Sequence, residues 1–379
     1  MMSLVRSSPL AEAEISVAAA QMANIKGCKI RTYSKEHQVP RLIFSKLNHF
    51  AFGVFFVATN NAVFAQKSSP GFVHAKPATI AVILQDEAEI LPDGNLRDAV
   101  PTVTQLTQLV NQSIFNMIKF KAGIFQMGDW GAEITATGMP FDSNYDSKPL
   151  HKVSLSAFAL GKYPVTYAEF DVFTAAMRLP RINQKKTMIE STRKPKNPAE
   201  VTWQGAKDYC GWLALISKQP FDLPTEAQWE YAARSGGKRN LYPTDNGKNE
   251  PGRNIPSFEQ RKAAGGLTPV GSFPPNPSGV HDMSAGLNEW VNDWYDSKYY
   301  QTSPVQDPKG PGAGTERVIR GWTGDESSTI VMHRYREKDE EQTGTWISYS
   351  TDKAIPNREI PYTKYSTSGG TSFRCALRM

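Results

Sequence analysis

Large aromatic side chains are the feature of this sequence that most restricts its fold. Five tryptophans lie between residues 203 and 294, too many for a solvent-exposed face: Trp203, Trp212, Trp229, Trp290 and Trp294. Each can bury roughly 150–250 Å² on folding. The 379 residues also include 28 Gly and 26 Pro, which break the chain into short segments. Together these features predict a loop-rich globular fold in which buried aromatic rings hold short elements in place.

The net charge of +6 does not indicate a nucleic-acid-binding surface, because the excess is concentrated in one part of the chain. Residues 1–65 carry seven Lys/Arg side chains and three Glu, whereas residues 66–379 carry 36 basic and 34 acidic side chains. A nearly balanced body offers no broad surface for phosphate groups, so we expect no nucleic-acid partner. No run of about 18 apolar residues indicates a membrane-spanning helix.

Residues 1–65 have the pattern of a secretory leader. Two basic residues precede a short apolar run from Phe50 to Ala58, and small residues follow up to Ala65. Basic, apolar and small residues in that order are typical of a signal peptide, and the apolar run is too short for an ordinary membrane span. The sequence therefore predicts cleavage after Ala65 and a periplasmic or secreted protein. A buried N-terminal helix is the alternative interpretation.

Helices downstream are few but have clear start signals. Residues 66–100 contain three prolines and predict a linker, whereas residues 101–117 place apolar side chains at helical spacing. Three further helix starts each have a threonine at the N-cap, and two of them form a capping box with a Glu or Gln three residues later. These starts are Thr166, Thr202 and Thr225. Alternating apolar residues predict two short strands, Phe120–Met127 and Val153–Leu160.

A series of short motifs follows in a fixed order along the rest of the chain. The most specific is LPTEAQWEYA at Leu223–Ala232. The others include FQMG at Phe125–Gly128, YPVT at Tyr163–Thr166, VTW at Val201–Trp203, EWV at Glu289–Val291, RVIRG at Arg317–Gly321 and FRCA at Phe373–Ala376. In number and order these motifs resemble those of the formylglycine-generating enzyme family, also called sulfatase-modifying factors.

The resemblance implies an α+β domain of the formylglycine-generating-enzyme fold, which is C-type-lectin-like and has little regular secondary structure for its size. The expected organisation is a leader with a secretory signal at residues 1–65, a linker and N-terminal helix at 66–117, and the family domain at 118–379.

Cysteine usage separates this chain from the family members that generate formylglycine. The resemblance implies that such members need two nearby cysteines, between an Arg-Gly-Gly turn and an Arg-Tyr-Arg segment, to bind copper. The corresponding stretch here, Arg320 to Arg336, contains no cysteine, and Met332 stands about where one is expected. A thioether cannot become a thiolate. We therefore expect no copper and no formylglycine generation by that route.

The family pattern also implies a disulfide. Cys28 would leave with the leader, whereas Cys210 and Cys375 occupy motif positions that form a bonded pair in formylglycine-generating enzymes. An exported protein meets the oxidising conditions in which such bonds persist. Two separately buried thiols are the alternative.

A calcium site is implied at one turn of the domain. The family's ligands correspond to the side chains of Asp282 and Glu289 and the carbonyl groups of Ala285 and Leu287, and two carboxylates with two carbonyls suit Ca²⁺. The local sequence departs from the family turn, so a solvated acidic turn is the alternative. No other cofactor is expected.

The segment from residue 320 to 372 is longer than the core pattern needs, and in lectin-like folds such loops line the ligand face. This makes Trp322, Arg334 and Arg336 candidate ligand contacts, with packing or internal ion pairing as the alternative. The sequence favours a pseudoenzyme that binds a peptide or protein, for example as an immunity protein against a toxin. A cysteine-independent oxidative maturation enzyme, of the periplasmic siderophore-tailoring type, is the alternative function.

Overall fold

The computed structural model describes residues 89–91, 96–183, 193–284, 287–321, 330–339, 345–348, 358–361, 363–367 and 370–379, all within the unit Phe56–Met379. The predicted leader at residues 1–65 and most of the linker after it lie outside the described residues, so both stay predictions. Among the described residues, no helix has the length and apolar character needed to cross a membrane.

Six α-helices lie in the described part of the chain. They are α1 (Val103–Phe115), α2 (Gly131–Ile134), α3 (Tyr167–Ala176), α4 (Trp203–Ser217), α5 (Glu226–Ala233) and α6 (Phe258–Ala264). A 3₁₀ turn spans Tyr299–Gln301. The predicted N-caps of α3, α4 and α5 are confirmed, since the hydroxyl groups of Thr166, Thr202 and Thr225 each accept a backbone N–H from the first turn. These bonds satisfy donors that a helix otherwise leaves unpaired.

Fourteen short strands accompany the helices in the described residues. They are β1 (Glu89–Ile90), β2 (Leu96–Arg97), β3 (Met117–Phe120), β4 (Gly123–Met127), β5 (His151–Leu155), β6 (Phe158–Gly161), β7 (Phe221–Asp222), β8 (Asn288–Trp294), β9 (Arg317–Gly321), β10 (Tyr335–Glu337), β11 (Thr345–Ser348), β12 (Arg358–Pro361), β13 (Thr371–Phe373) and β14 (Ala376–Arg378). This mixture of helices and mostly antiparallel strands confirms the α+β class.

Two four-stranded sheets form the frame. One has the order β10-β9-β8-β13, in which only the β13–β8 pair is parallel, and the other has the order β3-β6-β14-β7 and is antiparallel throughout. Strands β4 and β5 pair separately, as do β1 with β2 and β11 with β12. The sheet that contains β8, β9 and β10 carries much of the candidate site described below.

The strand predicted from Val153 to Leu160 is in fact two strands in different sheets. Between β5 and β6, the backbone N–H of Ser156 donates to Asp307 Oδ1 at 2.7 Å, and its hydroxyl donates to Asp307 Oδ2 at 2.6 Å. The carboxylate satisfies the backbone at the point where the chain leaves one sheet for the next, so pairing need not continue.

Apolar side chains form two core clusters. The first joins the inner faces of α1, α3 and α4, and the second joins β4, β5, β6 and α5. Residues 101–117 thus supply the predicted helix, α1, and it packs on the domain. Four of the five tryptophans named above are buried, but Trp294 is only half-buried. Its ring and that of Trp203 enclose the guanidinium of Arg317, whose central carbon lies 3.2 Å and 3.4 Å from the two ring centroids.

The segment from β13 to β14 links the two large sheets. Strand β13 adds to β8, and two residues later β14 inserts between β6 and β7. Between them, Cys375 is bonded to Cys210 of α4, with the two Cα atoms 5.7 Å apart. The disulfide implied by the family resemblance is therefore present.

Candidate ligand-binding cleft

A cleft of about 680 Å³ opens beside β10 and the 3₁₀ turn. Four separate parts of the chain line it: residues 144–146, side chains within 295–301, Glu316 just before β9, and residues 334–336. The volume lies within the range of sites that hold small molecules or peptide side chains. The lining is polar and contains three tyrosines: Tyr145, Tyr295 and Tyr335.

Arg334 lies at the buried base of this cleft, with only 2% of its surface exposed. Its Nε donates to Glu226 Oε1 at 2.7 Å, its Nη2 donates to Glu226 Oε2 at 3.1 Å, and its Nη1 donates to the carbonyl of Asp146 at 2.6 Å. This corrects the expectation that Arg334 is a free ligand contact. Internal ion pairing, the alternative interpretation, describes this residue, because the Glu226 carboxylate neutralises its guanidinium.

The ion pair belongs to a buried network built on α5. Arg320 donates to Glu226 at 2.8 Å and to Glu230, one turn later, at 2.9 Å, while Arg234 donates to Glu230 at 3.0 Å. None of the five side chains is more than 2% exposed. Burial raises the pKa of Glu226, but the guanidinium groups of Arg334 and Arg320 outweigh burial and hold it below its usual value. The two glutamates of the most specific sequence motif therefore fix two arginines beneath the cleft.

Asp293 of β8 supports the same helix. Its Oδ2 accepts the backbone N–H of Glu226 at 2.9 Å, which satisfies a donor in the first turn of α5. Burial, together with the nearby Glu226 carboxylate, raises the pKa of Asp293 to about 8. This carboxyl group is therefore mainly protonated at neutral pH.

One wall of the cleft centres on Tyr295. Its hydroxyl donates to Asp146 Oδ2 at 2.8 Å and accepts from Arg336 Nη1 at 3.2 Å. The guanidinium carbons of Arg334 and Arg336 lie 5.2 Å and 4.8 Å from its ring centroid. Burial and the bond to Asp146 raise the pKa of Tyr295 to about 12, so its hydroxyl stays protonated at neutral pH.

Asp146 has an unused bonding position in this wall. The residue is 7% exposed and lines the cleft, and its Oδ1 has no hydrogen-bond partner among the described residues. A buried polar atom left unpaired costs about 1–3 kcal/mol, and more when the group is charged. Such a cost is typical of positions kept for recognition rather than for stability.

The outer rim is more exposed. Tyr145 has 84% of its surface exposed, and Lys148 Nζ lies 4.6 Å from its ring centroid. Arg336 forms an ion pair with Glu316 at 3.1 Å and is itself exposed to solvent. Arg336 is therefore accessible in the way a ligand contact must be. Trp322, the third expected contact, lies outside the described residues.

Met332, which stands near the expected position of a copper-binding cysteine, is wholly buried in the second core cluster. Its thioether packs against apolar side chains and is not accessible from the cleft. A buried thioether in this position supplies neither a thiolate nor a disulfide partner.

Glu289, one of the two expected calcium-binding carboxylates, is held by a cation of the protein itself. Arg374 donates to its Oε1 at 2.5 Å and to its Oε2 at 2.7 Å, and Trp229 Nε1 donates to Oε2 at 2.9 Å. Both carboxylate oxygens therefore already accept hydrogen bonds, two of them from a guanidinium.

Asp282, the other expected carboxylate, is less well satisfied. It accepts the backbone N–H of Gly271 at 2.6 Å, yet burial raises its pKa to about 6. Ala285 lies outside the described residues, and within those residues no cluster of three or more Asp, Glu, His or Cys is placed to hold a metal ion. The described donors thus fit calcium only in part, and calcium binding through Asp282, Leu287 and Glu289 stays a prediction.

Sequence reasoning missed most of the cleft. Asp146 and Tyr295 follow or flank recognised motifs, but neither was identified as a site residue. The available signal was weak: an aspartate within a motif block, and a tyrosine directly after Asp293-Trp294. Only the structure brings them within hydrogen-bonding distance of each other.

Residues 103–347, more than half of the chain, match the family described as the sulfatase-modifying factor enzyme 1-like domain (FGE-sulfatase). The serine/threonine-protein kinase pkn1 of Chlamydia pneumoniae is 33% identical over 211 residues, which cover 50% of this chain and 32% of that protein. The formylglycine-generating enzyme of Streptomyces coelicolor is 38% identical over 195 residues, which cover 49% of this chain and 54% of that enzyme. Each match spans only a third to about half of the relative's length.

The solved structure of PvdO from Pseudomonas aeruginosa has a similar fold, with a TM-score of 0.51 and 21% identity. The match covers 79% of this chain and all of that one. This likeness concerns the fold, while the family match concerns the sequence, and both agree with the motif order described above. The chain therefore belongs to the FGE-sulfatase family, that of the sulfatase-modifying factor enzyme 1-like domain.

Proposed function

We propose that this chain is an exported family member that binds a peptide or protein ligand in the cleft beside β10 and does not oxidise cysteine through copper. The observation that carries the proposal is the unpaired, buried Oδ1 of Asp146 in a cleft whose basal arginine is already neutralised. A bound N–H or O–H group would satisfy that oxygen, whereas water in the free protein does not reach it.

The walls offer groups that suit a peptide. Tyr145 supplies an exposed ring, and Lys298, Gln301 and Arg336 supply polar contacts around the cleft. Tyrosine and arginine are the side chains most often responsible for affinity at protein interfaces. Aromatic and polar groups around one buried acceptor therefore favour recognition of a peptide segment.

The cysteine content argues against copper chemistry. The sequence from Arg320 to Arg336 has no cysteine, Met332 is buried there, and Cys210 and Cys375 are bonded to each other. A sulfatase-derived cysteine peptide incubated with the protein, copper and oxygen should therefore keep its thiol, as measured by mass spectrometry. Formylglycine formation that depends on this protein would overturn this part of the proposal.

Binding is tested by panning a random peptide display library against the immobilised mature protein, then measuring selected peptides by calorimetry. We expect binders whose affinity falls at least about tenfold in Asp146→Asn, since the amide places a donor where an acceptor is needed. Phe258→Ala, on the exposed surface of α6 and outside the cleft, is the matched control and should bind normally. Binders equally affected by both variants, or by neither, would contradict the assignment of the cleft.

Export is part of the same proposal, and it is supported by the sequence of residues 1–65. The protein purified from the periplasm or medium should begin at Gln66, as measured by N-terminal sequencing. An uncleaved cytoplasmic chain would overturn it.

A cysteine-independent maturation enzyme is the second candidate. It is favoured by the position of the cleft directly above ionisable groups with displaced pKa values, namely Tyr295 in the wall and Asp293 beneath α5. Chemical change of a bound peptide, detected by mass spectrometry after incubation with the protein, would favour this candidate over simple binding.

A further inference from the structure

Three side chains at the cleft form a hydrogen-bonded series that ligand binding alone does not require. Asp142 Oδ1 lies 3.0 Å from His333 Nε2, and His333 Nδ1 lies 3.2 Å from the hydroxyl of Tyr335. Asp142 is 1% exposed, and Tyr335 is one of the residues that line the cleft. A carboxylate, an imidazole and a hydroxyl are thus arranged in series from the interior to the cleft.

The hydrogen bonds of Asp142 determine the direction of proton donation. Its Oδ1 also accepts the backbone N–H of Asn144 at 2.8 Å, and its Oδ2 accepts the hydroxyl of Ser147 at 3.4 Å. A carboxylate that accepts these bonds also accepts from the imidazole, so His333 Nε2 carries the hydrogen. In a neutral ring Nδ1 is then the acceptor, and the Tyr335 hydroxyl donates to it.

We propose that Tyr335 is a general acid–base residue of the cleft, with His333 as its proton acceptor and Asp142 as the group that orients the imidazole. The substrate class is a peptide that presents a hydroxyl or protonated amine to the phenol oxygen. The phenol proton moves to His333 Nδ1 as the phenol oxygen takes the proton of the bound group, which is left as a nucleophile. One proton is transferred at each bond, and no oxidant or reductant is needed.

The arrangement follows the logic of other activated hydroxyls, in which a third group orients the base and stabilises the imidazolium that forms. The charged groups around it are compatible with that role. Lys148 donates to the backbone carbonyl of Asp142 at 2.9 Å and leaves its carboxylate available, and Arg334 and Arg336 flank Tyr335 along the chain. Positive charge near the phenol favours its deprotonated form.

The test uses the reactivity of Tyr335 toward benzenesulfonyl fluoride, in which the phenol oxygen displaces fluoride from sulfur. The mature full-length protein is labelled from pH 5 to 10, and each tyrosine is quantified by peptide mass spectrometry. Tyr145 is the internal reference, because it lines the same cleft and is 84% exposed. Its labelling should follow ordinary phenol ionisation, with a midpoint near about pH 10.

Tyr335 labelling should instead rise between about pH 6 and 8, the range in which imidazoles lose their proton. In His333→Gln the ratio of Tyr335 to Tyr145 labelling at pH 7 should fall at least about tenfold. Asp142→Asn should lower the same ratio by a smaller factor, because it removes the orienting group and leaves the base. Near-ultraviolet circular dichroism confirms that each variant is folded.

A wild-type Tyr335 profile that coincides with that of Tyr145 overturns the proposal, and so does a Tyr335 that stays unlabelled while Tyr145 reacts. An unchanged ratio in folded His333→Gln overturns it as well. The wild-type profile alone is decisive if a variant fails to fold. None of these outcomes depends on the natural ligand, so they are independent of the peptide-binding test.

Discussion

The buried network on α5 makes a quantitative prediction for Glu226→Gln. This substitution keeps the size of the side chain but removes the charge that Arg334 and Arg320 share. Arg320 retains Glu230 as a partner, whereas Arg334 keeps only carbonyl groups, those of Asp146 and Asp296. The new amide also directs N–H groups toward a guanidinium. Arg334 therefore becomes a buried cation without a counter-charge.

Removing one partner of a buried ion pair typically costs about 3–5 kcal/mol, and we expect a loss of that order in the free energy of unfolding. The matched control is Glu133→Gln, which breaks the pair between Glu133 and Arg239. These side chains are 52% and 43% exposed, so solvent screens the pair and the loss should not exceed about 1 kcal/mol.

Urea denaturation at pH 7, followed by tryptophan fluorescence, measures both losses. The pH dependence gives a second check. Because the folded pKa of Glu226 is depressed, its contribution to stability is complete above the unfolded value of about 4.3 and is lost as pH falls through the folded pKa. The difference between wild type and Glu226→Gln should therefore shrink below about pH 4. A loss under about 1 kcal/mol at pH 7, equal to that of the control, would refute the assignment of Glu226 as the essential counter-charge.

Three other predictions concern single features. Asp293 has a folded pKa of about 8, above its unfolded value, so its contribution is complete in acid and is lost as pH rises from about 4 to 8 at about 1.4 kcal/mol per unit; Asp293→Asn should remove this slope from urea titrations, and an unchanged slope would contradict the raised pKa. Reduction of the Cys210–Cys375 bond, which closes a separation of 165 residues, should lower stability by up to about 5 kcal/mol; two thiols reactive before reduction would show that the bond is absent in solution. Calcium should raise the melting temperature at pH 7 through Asp282, by about 2.7 kcal/mol at a hundredfold excess over Kd, and no difference between calcium and EDTA would count against the site.

The sequence predicted the parts of the fold that depend on local signals. Helix starts at Thr166, Thr202 and Thr225 follow from capping, which involves only neighbouring residues. A fourth capping box, at Ser257 and Gln260, precedes α6 and was overlooked, although the signal is of the same kind.

The interior charges could not be predicted in this way. Glutamate and arginine are almost always exposed, so no local rule places Glu226 and Arg334 in the core. Their pairing spans 108 residues and depends on how β10 lies across α5. The same reason applies to the bond between Asp146 and Tyr295, which are 149 residues apart. The family motif indicated that α5 matters, but its physical role required the three-dimensional arrangement.

The position of β14 in the middle of a sheet has a consequence for biosynthesis. Strands β6 and β7 are made early but have no hydrogen bonds to each other until residues 376–378 arrive between them. At a translation rate of about 5–20 residues per second, the ribosome needs roughly 10–30 s to travel from Cys210 to its partner, 165 residues later. Throughout that interval the nascent chain presents two unpaired strand edges and one unpaired thiol. The frame can therefore close only after nearly all of the domain has been synthesised, and a chain released before residue 376 has nothing to fill the gap.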